Sequence, residues 1–141
     1  GMMELLPDAS VHHIGMYRAK GSLLPIQYYN RLPRDEKCDV AFITDPCIAT
    51  SNTLQAAVSI VKRWGAKKII VIAAIGAKEG VDALLAAHPD IDIYIGEIDN
   101  TLTEEGMILP GIGDAGDRLF STPSDEVVVA SDENSPKKRK H

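Results

Sequence analysis

Apolar and polar positions along the chain fall into two alternating rhythms. Val11 to Tyr17 and Ile26 to Tyr29 are short runs of β-branched and aromatic residues, which predict two strands separated by a turn at Lys20-Gly21-Ser22. Asp39 to Thr44 predicts a third, apolar strand. From Thr53 to Trp64 the period changes. Leu54, Ala57, Val58, Val61 and Trp64 share one helical face, and Gly65 stands where a helix ends. Lys68 to Ala74 is a continuous apolar run of the kind buried on both faces of a parallel sheet. A second helix is predicted from about Lys78 to His88, with Val81, Leu84, Leu85 and His88 on one side, and Ile91 to Ile95 predicts a further strand. The β-α-β-α-β order predicts the α/β class, a parallel sheet flanked by helices.

The two ends of the chain depart from this rhythm. Met2 to Leu6 reads as the last turns of a helix with no strand before it, so the sheet has three or four strands and an edge that needs a cover. The domain, residues 2–122, therefore reads as incomplete at its N-terminus. Gly1 reads as an expression remnant ahead of a start methionine. After Ile98 the periodicity stops. Residues 100–117 hold Gly106, Pro110, Gly111, Gly113 and Gly116 and predict a long functional loop. Residues 123–141 are acidic, then basic, and predict a disordered tail.

Composition narrows the function classes. A length of 141 residues and a 45% hydrophobic content suit one domain with an ordinary core. The net charge is −5, and the four acidic and four basic side chains of the tail cancel, so the body itself is acidic. An acidic body argues against general binding of nucleic acid. No apolar run reaches the roughly 18 residues of a membrane span, and no signal peptide is evident. Cys38 and Cys47 read as free thiols of a reducing, cytoplasmic compartment. Pro136 to Lys140 resembles a monopartite nuclear-localisation signal, which leaves a nuclear location and interaction role open.

Two segments could carry chemistry. In the first, an apolar run ends on Asp45, and Pro46, Cys47, Ile48, Ala49, Thr50, Ser51, Asn52 and Thr53 lead into the helix. Such a junction collects unpaired backbone N–H groups at the positive end of a helix dipole, where phosphate binds readily, and Asp45 can accept hydrogen bonds from sugar hydroxyls. The competing reading is a plain helix start capped by Asn52 or Thr53. The second segment, Pro110 to Arg118, has three glycines in six residues. Its backbone could approach a flat ligand and read its edge, with Asp114 reaching a sugar or metal, or it is simply a flexible turn. His12, His13 and His88 read as structural, because no partner stands at metal spacing.

Taken together, Gly15-Met16-Tyr17-Arg18, Tyr28 to Pro33, Asp45 to Thr50, Gly65-Ala66, Glu79-Gly80-Val81, Ala87 to Tyr94 and Leu109 to Phe120 resemble uracil phosphoribosyltransferase, in register from about Met3 to Thr122. The resemblance implies the type I phosphoribosyltransferase fold with a small hood over the base. It implies transfer of a phosphoribosyl group from 5-phosphoribosyl diphosphate to uracil, giving UMP and diphosphate in pyrimidine salvage, with magnesium carried on the diphosphate. It further implies that Asp45 holds the ribose hydroxyls, that Ala49 to Thr53 wrap the 5′-phosphate within a loop reaching back to Pro46, Cys47 and Ile48, and that Arg18 meets the phosphoribosyl diphosphate. Ile108, Gly113 and Ala115 would bind uracil through backbone groups, and Asp114 would contact both substrates, so that Asp45 and Asp114 are the catalytic pair.

Three departures from the family pattern stand out. The family has Thr-Gly-Gly-Ser/Thr where this chain has Thr50-Ser51-Asn52-Thr53, so a loop on the family's path would strain Ser51 and Asn52. A tyrosine is replaced by Met107. The family's Leu-Arg-Ala-Gly segment, which binds the diphosphate, is not in the sequence. The expected activity of the chain alone is therefore very weak or absent. The alternative is a non-catalytic relative that binds a nucleotide or pairs with a full-length subunit. The uncovered sheet edge predicts self-association into a homo-oligomer.

Overall fold

The computed structural model describes residues 1–18, 24–34 and 38–122. The predicted turn at Lys20 to Ser22, the tail and its basic signal lie outside the described residues. Among the described residues twelve elements follow in order: α1 (Met2–Leu5), β1 (Ile14–Arg18), β2 (Pro25–Asn30), β3 (Val40–Thr44), β4 (Cys47–Ile48), α2 (Asn52–Trp64), β5 (Lys68–Ala77), α3 (Lys78–Ala87), β6 (Asp92–Asp99), β7 (Thr101–Leu102), β8 (Ile108–Leu109) and α4 (Ala115–Phe120).

The central sheet is parallel, as the alternating pattern predicts. β5 pairs with β6 on one side and with β3 and then β4 on the other. β3 and β4 act as one strand broken at Asp45-Pro46, where the Pro46 carbonyl accepts from both Ala74 and Ile75 N–H, each at 3.2 Å. Strands added in one direction by right-handed crossovers place their helices on the same face. Accordingly Leu54, Val58 and Val61 of α2 and Val81 and Leu84 of α3 share one core with Ile69, Val71 and Ala73 of β5.

That arrangement revises the expectation for the β5 run. Burial along it alternates over its first six residues rather than covering both faces. On the face away from α2 and α3, Val40, Phe42 and Tyr94 are 43%, 42% and 62% exposed. The run also continues three residues beyond Ala74, because Ile75, Gly76 and Ala77 keep their pairing with β6.

An antiparallel β1–β2 hairpin leans on α2. Trp64 fixes this contact. Its Nε1 donates to the Pro33 carbonyl at 2.6 Å, and its ring meets His12 edge to face. The stretch after Ile98, expected as one long loop, holds the β7–β8 ribbon and α4. Two-residue strands carry too little periodicity to stand out in a glycine-rich segment.

Candidate functional site at the carboxyl end of the sheet

The first loop is shorter than the sequence suggests. Because β4 re-enters the sheet after Asp45-Pro46, the connection to α2 is only Ala49 to Ser51. Ile48, 1% exposed, anchors it in the core. Asp45 is half-buried at the break. Its N–H donates to the Ile72 carbonyl, and its Oδ1 accepts from Cys47 N–H at 3.3 Å. The break interrupts the ladder just after Asp45, as bulges beside sites do.

Helix α2 starts at Asn52, with Ser51 as the residue before it. The expected cap at Asn52 or Thr53 is thus not realised, and Ser51 itself makes no side-chain cap bond. The first amide to join the helix is that of Gln55, which donates to the Ser51 carbonyl at 2.8 Å. The N–H groups of the first turn, at Asn52, Thr53 and Leu54, point out of the helix end and offer an anion the positive end of the dipole. Ser51 takes φ 62° and ψ −4°, in the left-handed region. Asn52 does not share this conformation, so the expected strain falls on one residue rather than two.

The second loop hangs from the end of β6. Asp99 Oδ2 accepts from Gly111 N–H at 3.0 Å, and Arg118 donates from Nη1 to the Ile112 carbonyl at 2.8 Å. The Leu109-Pro110 peptide is cis, and Gly111 and Gly113 have φ of 54° and 72°. A Cβ on Gly111 would stand 2.0 Å from the Ile108 carbonyl oxygen, so only glycine fits there. Gly113 has open space around its Cα, where the nearest atom to an added Cβ is Arg118 Cδ at 3.9 Å. Asp114 is exposed and caps α4, its Oδ1 accepting from Asp117 N–H at 2.8 Å. One carboxylate oxygen is therefore already engaged.

The two loops meet. Ala49 of the first and Ile108 of the second are buried in one cluster with Ile75 and Ala77, and Cys47 packs against it. Burial pushes the Cys47 thiol pKa up, and the carboxylates of Asp45 and Asp114 push it further in the same direction. Both aspartates thus bear on a single sulfur. Ala115 is half-buried at the start of α4. Arg18 ends β1, paired with Pro25, and its side chain lies outside the described set. Met107 is 38% exposed beside the second loop.

Several contributing residues escape sequence reasoning. Gly80 lies in the first turn of α3, where a Cβ would stand 1.8 Å from the Ala49 carbonyl oxygen, so α3 packs directly on the first loop. Its signals in the sequence are a glycine inside a helical pattern and its place in the Glu79-Gly80-Val81 stretch of the resemblance. Asp99 gave none, and Arg118 was marked only as the end of the glycine-rich segment, because their partners are main-chain atoms across a loop. His88 is structural as expected, set between Lys62, Ser59 and the Gln55 carbonyl. Among the described residues no group of three His, Cys, Asp or Glu could hold a metal by itself. Among them, too, no helix is long and apolar enough to cross a membrane.

The family model described as Uracil phosphoribosyltransferase matches residues 1–122. The uracil phosphoribosyltransferase of Dictyoglomus turgidum is 48% identical over 122 residues, covering 86% of this chain and 59% of the relative. That of a Roseiflexus species is 46% identical over 121 residues, covering 86% and 58%. The solved structure of the AQ2163 protein from Aquifex aeolicus superposes with a TM-score of 0.77 at 31% identity, covering 87% of this chain and 58% of that one. The chain spans just under three fifths of the length of the relatives it matches.

Proposed function

The chain belongs to the uracil phosphoribosyltransferase family, and on that premise we propose that it carries the sugar-phosphate and base sites of an enzyme that makes UMP and diphosphate from uracil and 5-phosphoribosyl diphosphate. The observation that carries this reading is the meeting of the two loops, with Ala49 and Ile108 in one cluster and Asp45 and Asp114 both acting on Cys47. A phosphate end and a base end brought together in this way suit a nucleotide.

In this reading the first-turn N–H groups after Ser51 hold the 5′-phosphate, and Asp45 accepts hydrogen bonds from the ribose hydroxyls. Backbone groups of Ile108, Gly113 and Ala115 read the edge of uracil, whose plane the open side of Gly113 admits. Asp114 faces both halves. Leaving of diphosphate develops positive charge on the sugar ring, so the residues act by holding the two reactants in line and by placing carboxylates near that charge. A magnesium ion carried in on substrate oxygens would offset charge on the departing diphosphate. The bare apolar face with Val40, Phe42 and Tyr94 supports self-association of the chain.

Binding of UMP to the purified chain, followed by calorimetry, tests the site, and UMP formation from the two substrates tests the reaction. Saturable UMP binding that Asp45→Asn weakens is expected, with turnover very weak or absent because Ser51 stands in the loop where the family has glycine. Absence of UMP binding would overturn the site assignment, and robust turnover would overturn the expectation of a feeble catalyst.

A further inference from the structure

Ser51 combines three properties that rarely coincide. It is left-handed, it is 5% exposed, and among the described residues it is the one polar side chain in the buried class. A serine in this backbone region relaxes to negative φ unless its surroundings over-determine it. Its hydroxyl does not cap the helix. It accepts instead from Gln55 Nε2 at 2.8 Å, one turn further on.

Gln55 is itself fixed from a second direction. Its carbonyl lies 3.2 Å from His88 Nε2, and His88 Nδ1 lies 3.2 Å from Lys62 Nζ. A carbonyl only accepts and an ammonium only donates, so the ring carries its proton on Nε2 and links the two. Lys62 in turn pairs with Asp90. The turn of helix that presents Gln55 to Ser51 is thereby tied to the end of α3.

We propose that Gln55 is a positioning residue of the phosphate loop, whose side-chain amide holds Ser51 in the left-handed conformation that a glycine would take unaided. With Ser51 held, the 50–51 and 51–52 peptides keep their orientation, and the first-turn N–H groups stay turned toward the loop mouth. Released, Ser51 relaxes and those donors turn with it. The proposal rests on the phosphate-site reading given above.

The test is a double-mutant cycle on the full chain with Ser51→Gly, Gln55→Leu and the pair combined, read by melting temperature without ligand and by Kd for UMP. Gln55→Leu should lower the melting temperature and raise Kd about tenfold beside Ser51, the effect of orphaning one buried hydroxyl. In the Ser51→Gly background it should do neither. Gln55→Glu, whose carboxylate can accept the Ser51 proton, should restore the melting temperature. Equal effects of Gln55→Leu in both backgrounds, or none in either, would overturn the proposal. A chain that binds no UMP but shows the coupled melting temperatures would overturn the phosphate-site reading and leave the Ser51–Gln55 lock standing. If Gln55→Leu does not fold, Gln55→Met takes its place in the cycle.

Discussion

At φ 62°, Ser51 holds a conformation that costs an L-residue about 1–2 kcal/mol relative to glycine. The next residue behaves differently. Asn52 is the first residue of α2 with ordinary backbone angles, so a glycine there relieves nothing. Asn52→Gly is expected to lower unfolding free energy by about 0.5 kcal/mol through helix propensity, with UMP affinity unchanged, as denaturant melts and calorimetry will read. Gly80 is a harsher position. Its missing Cβ is what lets α3 rest on the Ala49 carbonyl, and Gly80→Ala should cost about 1–3 kcal/mol by overpacking while displacing the phosphate loop. Cys47 reports on the aspartates. A raised pKa leaves less thiolate at neutral pH, so in a Cys38→Ser background Cys47 should alkylate more slowly than a free cysteine, and the rate should rise with pH beyond the usual thiol range. Asp114→Asn removes one of the raising charges and should speed alkylation at pH 7; an unchanged rate would separate Asp114 from the first loop.

Among the elements, the second loop, proposed to bind the base, is held from outside itself. Asp99 at the end of β6 and Arg118 in α4 each bond a main-chain group of the glycine run. Asp99→Ala leaves the Gly111 amide without that acceptor, and UMP affinity should fall about tenfold, the loss of one charge-assisted bond, with a smaller change in melting temperature. An equal fall in both would make Asp99 a purely structural residue. The helices and long strands follow the sequence closely, because their periods of apolar residues face a core. The β3–β4 break and the β7–β8 ribbon do not. Each depends on which main-chain groups happen to lie across from Pro46 or Leu102, and no periodicity encodes that.

At the scale of the whole molecule, the sheet is covered on one face only. Parallel sheets are normally buried on both faces, and Val40, Phe42 and Tyr94 lie open instead. The chain is expected to self-associate through this face, and Phe42→Ser with Tyr94→Ser should shift sedimentation toward the monomer. The exposed ion pairs Lys67–Asp39, Lys68–Asp92 and Lys78–Asp82 should matter little to stability, since solvent screens them.

By itself the sequence determined the α/β class, the order of strands and helices, and the two loops with Asp45 and Asp114, because hydrophobic period and glycine placement are local properties. It also marked Ser51 as a misfit at a glycine position. Only the tertiary structure decided that this misfit is confined to Ser51, whose hydroxyl meets Gln55, that α3 packs through Gly80 on the first loop, and that one sheet face stays open. These depend on which atoms meet across the fold: Gly80 on Ala49, two helices on one side of β5, and a glutamine one turn along reaching back to a buried hydroxyl.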